Sequence, residues 1–203
     1  MNNFSTHLVH LTHRSNKAKW LSFLFGLFLV QSGISQPFIS TWRTDYSGSS
    51  NETSITIPTQ GEGYNYNVDW NNDGTFDELG LTGAVTHNFG KSGAYTIRIE
   101  GSFPRIYFNN GGDKNKLQSI EQWGSIKWAS MENAFYGCSN LSISAQDAPD
   151  LSNVSSMAGM FREAGVSIPA IGNWDVSNIL LMDRLFENSA FNQNLGRWNI
   201  SKY

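Results

Sequence analysis

The chain has 203 residues, with 14 Lys and Arg against 17 Asp and Glu, and a single cysteine. One cysteine excludes a disulfide framework and a cysteine-based zinc site, and a formal net charge of −3 argues against a nucleic-acid-binding surface. Only 15% of the residues are charged while 13% are aromatic, the reverse of a disordered composition.

At the N-terminus, Arg14, Lys17 and Lys19 precede an apolar run from Trp20 to Val30. The run is shorter than the about 20 apolar residues that a bilayer span needs. A basic start, an apolar stretch and small residues at Gly33 and Ser35 predict a secretory signal peptide over 1–35, cleaved after Ser35. The mature chain is then secreted or held at the cell surface, with no transmembrane span. His7, His10 and His13 leave with the leader and only His87 remains, which weighs against an enzyme.

Residues 36–102 carry strand signals. The stretches 54–57, 64–70, 84–89 and 94–99 alternate or run β-rich between Gly, Asn and Asp turns, predicting a small antiparallel sandwich. Within it, Asp69, Asn71, Asp73 and Asp77 place oxygens at mostly alternate positions around Gly74, a pattern able to wrap calcium. Against EF-hand spacing, the position that needs a bidentate Glu is Gly80. Asn, Asp and Gly are also the preferred residues of a plain turn, so both readings stay open. No other cofactor is indicated. His87 reads as a strand residue beside a turn.

From about residue 117 the chain repeats with a period of 24 to 26 residues, anchored at Trp123, Pro149, Trp174 and Trp198. Eight residues after each of the first three anchors begins the pattern M-x-x-[AML]-F, at Met131–Phe135, Met157–Phe161 and Met182–Phe186. A fourth copy begins at Asn199, so the array reads as incomplete at its C-terminus. Met157, Met160, Phe161 and Ala164 at i, i+3, i+4 and i+7 predict a short helix, which Gly165 would end in a left-handed conformation. The segment from Ile171 to Val176 predicts a strand. One strand and one helix per unit give the arithmetic of a stacked leucine-rich repeat. Cys138 shares the register position of Ala164 and Ser189, which predicts a small, inward-facing slot. The predicted fold class is therefore mixed: a small all-β sandwich followed by a short α/β leucine-rich-repeat-type solenoid over 103–203.

The run IGNWDVSNILLMDRLFENSAFNQNLGRWNIS (171–201) resembles the repeats of BspA-like bacterial surface proteins, and FPRIYFNNGGDKNKLQSIEQWGSIKWASMENAFYGCSNL (103–141) resembles the entry to such arrays. The order V-D-W, T-H-x-F and G-x-Y-T-I-R-I resembles the PKD-type immunoglobulin-like domains of secreted bacterial proteins. Arrays of the BspA-like family are longer than this one, so the resemblance implies a truncated member. It also implies an extracellular location and a role in adhesion and protein binding. The expected function is therefore a non-catalytic binding protein whose repeat surface meets an extracellular protein or glycan. The expected contact positions are Glu132, Arg162, Glu163, Arg184 and Glu187, with Asp150 and Asp175 on a neighbouring edge. The alternative is a carbohydrate-binding accessory module of a polysaccharide-degrading system, using Tyr64, Tyr66 and Trp70. Asn51, Asn140, Asn153 and Asn199 fit the N-x-[ST] acceptor pattern, but two occupy equivalent repeat positions, which favours hydrogen bonding within the array. The sequence leaves the oligomeric state open.

Overall fold

A computed structural model describes residues 35–201, and the expected leader over 1–35 lies almost wholly outside the described residues. Eight strands follow in chain order: β1 (Phe38–Arg43), β2 (Ser54–Ile57), β3 (Asn65–Asp69), β4 (Glu78–Leu81), β5 (Val85–Asn88), β6 (Ala94–Ser102), β7 (Leu117–Gln122) and β8 (Ser142–Ile143). Six form one sheet in the order β4-β3-β6-β1-β7-β8, and β2 pairs with β5 in a second. Every pairing is antiparallel except that of β7 with β8. Among the described residues no helix is long and apolar enough to cross a membrane.

β1 shows why the sheet forms. Phe38, Ser40 and Trp42 are fully buried on one face while Ile39, Thr41 and Arg43 are half-buried on the other. The one polar pair on the buried face satisfies itself, because the Trp42 indole N–H donates to Ser40 Oγ at 2.9 Å. β6 lies along β1 from Phe38↔Ile99 to Arg43↔Ala94 and along β3 from Asn65↔Ser102 to Asp69↔Arg98. Gly101 must be glycine there: its φ is +104°, and a Cβ would come within 2.7 Å of the Asn65 carbonyl oxygen.

On its other side β1 pairs with β7, which belongs to the first repeat. The boundary expected at residue 103 therefore falls inside one sheet, and the described residues belong to one compact unit. The core is correspondingly continuous. Phe38 packs edge-on against Trp128 with ring centroids 5.6 Å apart, and Trp123 packs against Phe135 at 6.0 Å.

The expected fold class is overturned. Among the described residues the structure is nearly all β, with 26% in strands, no helix of seven or more residues and no α/β solenoid. Residues 157–164 form consecutive tight turns instead of a helix, with Met160 N donating to Met157 O at 3.0 Å and Arg162 N to Gly159 O at 3.2 Å. Gly159 (φ +62°) and Glu163 (φ +53°) take left-handed conformations four residues apart, which no α-helix tolerates. The apolar spacing still describes burial, since Met157, Met160, Phe161 and Ala164 are all inside. What differs is the destination of the intervening amides. Met157, Gly159, Phe161 and Glu163 donate to Leu181, Asp183, Leu185 and Glu187 of the next repeat at 2.8–2.9 Å.

Two local expectations fall with the helix. Gly165 is not left-handed; it sits where a Cβ would lie 1.9 Å from the Ser139 carbonyl oxygen, so the two chain segments touch there. The strand expected at 171–176 is a short 3₁₀ turn over Ile171–Asn173. Phe135 stacks on Phe161 at 5.6 Å and Phe161 on Phe186 at 5.8 Å, both nearly parallel, while Phe191 stacks on Phe186 at 3.8 Å. Met131 and Met157 are fully buried, whereas Met182 is only partly so.

Candidate binding surface

The Asp-rich turn joins β3 to β4 and turns several of its side-chain oxygens onto its own backbone. Asp69 is fully buried; its Oδ1 accepts the amides of Asn71 (3.2 Å) and Asp73 (3.3 Å), and its Oδ2 accepts that of Gly74 (2.8 Å). Asn71 Oδ1 accepts the Asp73 amide, Asp73 Oδ1 the Thr75 amide and Asp77 Oδ2 the Trp70 amide. Asn71, Asp73 and Asp77 are exposed. Asp69, Asn71 and Asp73 thus each accept the amide two residues on, as in an Asx turn, around the left-handed Asn72 (φ +58°) and Gly74 (φ +93°). Among the described residues no group of three or more His, Cys, Asp and Glu is gathered to hold a metal ion. The four residues lie together at the end of β3 and in the turn after it, and each directs at least one oxygen at a nearby backbone amide.

Charged residues of successive repeats meet because the stacking brings equivalent positions together. Tyr136, Arg162 and Glu187 occupy the same place in three consecutive repeats. The Arg162 guanidinium lies over the Tyr136 ring, 4.8 Å from its centroid, and its Nε is 3.3 Å from Glu187 Oε2. That Nε–H is not aimed at the carboxylate, so the contact is an ion pair without an aligned hydrogen bond. Arg184 Nε reaches the same Glu187 oxygen at 3.5 Å, and Tyr136 donates to Glu163 Oε1 at 3.4 Å. Arg105 donates to the Glu132 carbonyl at 3.0 Å and covers the Tyr107 ring.

Of the expected contact positions, Arg162, Glu163, Arg184 and Glu187 therefore share one strip, and Glu132 joins Arg105. Asp150 pairs instead with Lys127, whose hydrogen bond, helped by Ser152, lowers the Asp150 carboxyl to about 2. Asp150 and Asp175 make the same local turn, each accepting the amide two residues on at 3.0 Å. Tyr136 and Arg105 were not among the expected positions; the period that aligns Tyr136 with Arg162 was the signal that could have found the first.

A polar cleft of about 610 Å³ opens between the segments 169–173 and 193–197, with Asn173, Gln193, Asn194 and Arg197 on its walls. The aromatic residues expected to meet carbohydrate are inside: Trp70, Tyr64 and Tyr66 are all buried. Tyr66 donates to the Gly83 carbonyl at 2.6 Å, and burial raises its phenol well above the ordinary tyrosine value. His87 stacks face to face on Trp70 at 4.4 Å, with Nδ1 3.7 Å from Glu78 Oε1. Cys138 is fully buried, and burial pushes its thiol up, away from the reactive thiolate.

Residues 105–203 match the family model described as "Mycoplasma protein of unknown function, DUF285". No curated protein and no solved structure matches the chain. The matched segment begins at Arg105 and takes in the strip from Tyr136 to Glu187, so the surface built by stacking lies wholly within the part similar to that family.

Proposed function

We propose that the protein is a non-catalytic binding protein, exported and acting at or beyond the cell surface, that holds an extracellular protein or glycan on its repeat face. The observation that carries this reading is the strip Tyr136–Arg162–Glu187 with Arg184 and Glu163 beside it. A row of unlike side chains is lined up by backbone stacking, so it is preorganised and loses little freedom on binding. Arg and Tyr are also the side chains that most often anchor a binding surface. The polar cleft between 169–173 and 193–197 separately offers amide groups suited to sugar hydroxyls. The resemblance to BspA-like surface proteins and the basic, apolar leader support an extracellular role.

Purified protein is screened against immobilised extracellular-matrix proteins and a glycan array, alongside the Arg184→Glu variant. Arg184 is 66% exposed, so this change should leave folding intact. Binding to a member of the panel that falls at least about tenfold in Arg184→Glu supports the reading. Binding that survives the charge reversal, or an empty panel, overturns it.

A further inference from the structure

The polar cleft lies between two consecutive layers of the stack, the segments just ahead of the anchors Trp174 and Trp198. Both of its walls are therefore residues of the chain itself. A change in bonding marks the place. One unit earlier, in the pair Ser142–Ile143, the Ile143 amide donates to the backbone carbonyl of Ser167 at 3.0 Å. In the equivalent pair Ser167–Ile168, the Ile168 amide donates instead to the side-chain Oε1 of Gln193 at 3.3 Å. A side chain stands where the preceding layer is met by backbone, so the two backbones are not joined directly here.

That bond also fixes what the cleft offers. A backbone N–H needs an oxygen acceptor, so Gln193 spends its oxygen on Ile168 and keeps its NH2 group as a free donor. Asn194 does the same: its Oδ1 accepts the Gly196 amide at 2.7 Å, and its Nδ2 is left without a partner. Arg197 is exposed and its guanidinium has no partner either. No Asp or Glu is among the residues that line the cleft, on a chain whose formal net charge is −3. Three side chains left as donors, one of them cationic, suit an anion, and a planar guanidinium beside amide NH2 groups matches the two oxygens of a carboxylate.

The space calls for more than a bare ion. About 610 Å³ falls within the roughly 300–1,000 Å³ of ordinary small-ligand sites. On the facing wall the exposed Asn173 has both ends of its amide free, a donor and an acceptor, which is the combination that pairs with hydroxyl groups. An apolar ligand would strand all of these groups without water. We infer that the cleft binds an acidic saccharide, with the carboxylate of a uronic-acid residue held by Arg197, Gln193 and Asn194 and neighbouring hydroxyls meeting Asn173. This deepens the glycan half of the proposed function at a separate place, since none of the strip residues lines the cleft.

The test is calorimetric titration of the full chain with trigalacturonate in about 0.15 M salt, where screening leaves short-range contacts dominant. Binding at millimolar concentration or below is expected, and the carboxyl-reduced trisaccharide should bind at least about tenfold more weakly. Arg197→Ala, a change on an exposed side chain, should weaken trigalacturonate by a similar factor. Asn194→Asp keeps the oxygen that accepts the Gly196 amide but replaces the free donor with a second acceptor, and should also lose about tenfold. Arg184→Glu, on the strip, should bind trigalacturonate as the unaltered chain does, so failure here and failure of the strip are read separately. No binding at millimolar trigalacturonate, equal binding of the reduced sugar, or binding indifferent to both cleft substitutions overturns the inference. Acetate or inorganic sulfate binding as tightly as the sugar would make the ligand a bare anion and overturn the choice of a saccharide.

Discussion

At the scale of single residues, the most consequential is Lys116, a fully buried lysine. Its ammonium donates to the carbonyls of Ser50 (3.1 Å), Asn51 (2.7 Å) and Ser54 (2.9 Å) and to Ser50 Oγ (2.8 Å). Ser50 Oγ also lies 2.7 Å from Asp113 Oδ2, and Asp113 accepts the amides of Ser50 and Thr56. Two residues at the head of the repeat region thus hold the loop before β2 and the start of β2 itself. Burial lowers the Lys116 ammonium from the ordinary lysine value, while Asp113 and Asp45 pull it back. The charge is kept by hydrogen bonding, so removing the amine leaves buried carbonyls without donors. Lys116→Met should cost about 2–4 kcal/mol in urea unfolding. A loss under about 1 kcal/mol would mean that water already serves those carbonyls.

At the scale of elements, the same apolar spacing is compatible with two backbones, and that ambiguity marks what was legible. β2, β3, β5 and β6 lie where alternation places strands, because one side of each faces the core. β7 was hidden: its burial runs every third residue, since two register irregularities against β1 break the alternation. In the repeats, spacing of i, i+3, i+4 and i+7 correctly marks what is buried but cannot tell a helix from a run of turns. The discriminating signal was a left-handed residue recurring every fourth position: Asn133 and Gly137, then Gly159, then Asn188. Glu163 and Arg184 occupy the same kind of position and masked it. The charged strip was legible as exposed positions, but not as one group, because its assembly depends on the ladder between repeats. Close packing of the turns gives the element-scale prediction. Gly165→Ala should cost about 3 kcal/mol, since its Cβ would meet a backbone oxygen that cannot step aside. Gly83→Ala, with nothing within 4 Å and no left-handed φ, should instead stabilise by about 0.5 kcal/mol. Equal losses at both sites in thermal melts would sink the argument.

At the scale of the whole molecule, β1 joins the two stretches that the sequence reading separated at residue 103. One edge of β1 pairs with β6 and the other with β7, and Phe38 at its start touches Trp123 and Trp128 within the repeats. Backbone and aromatic contacts therefore cross the boundary together. Repeat stacks usually lose stability unit by unit, because each unit contacts only its neighbours. Here the first unit is built into a sheet with much of the N-terminal stretch, so the two should unfold in a single step. Phe38→Ala removes a fully buried ring from that junction and should cost about 3–5 kcal/mol. The loss should appear equally in tryptophan fluorescence, reporting chiefly on the Trp123–Trp198 end, and in far-ultraviolet circular dichroism, reporting on the sheet. Coincident urea transitions, both moved to lower denaturant, are the expected result. Two separate transitions, with only one moved by Phe38→Ala, would show that β1 belongs energetically to one side alone.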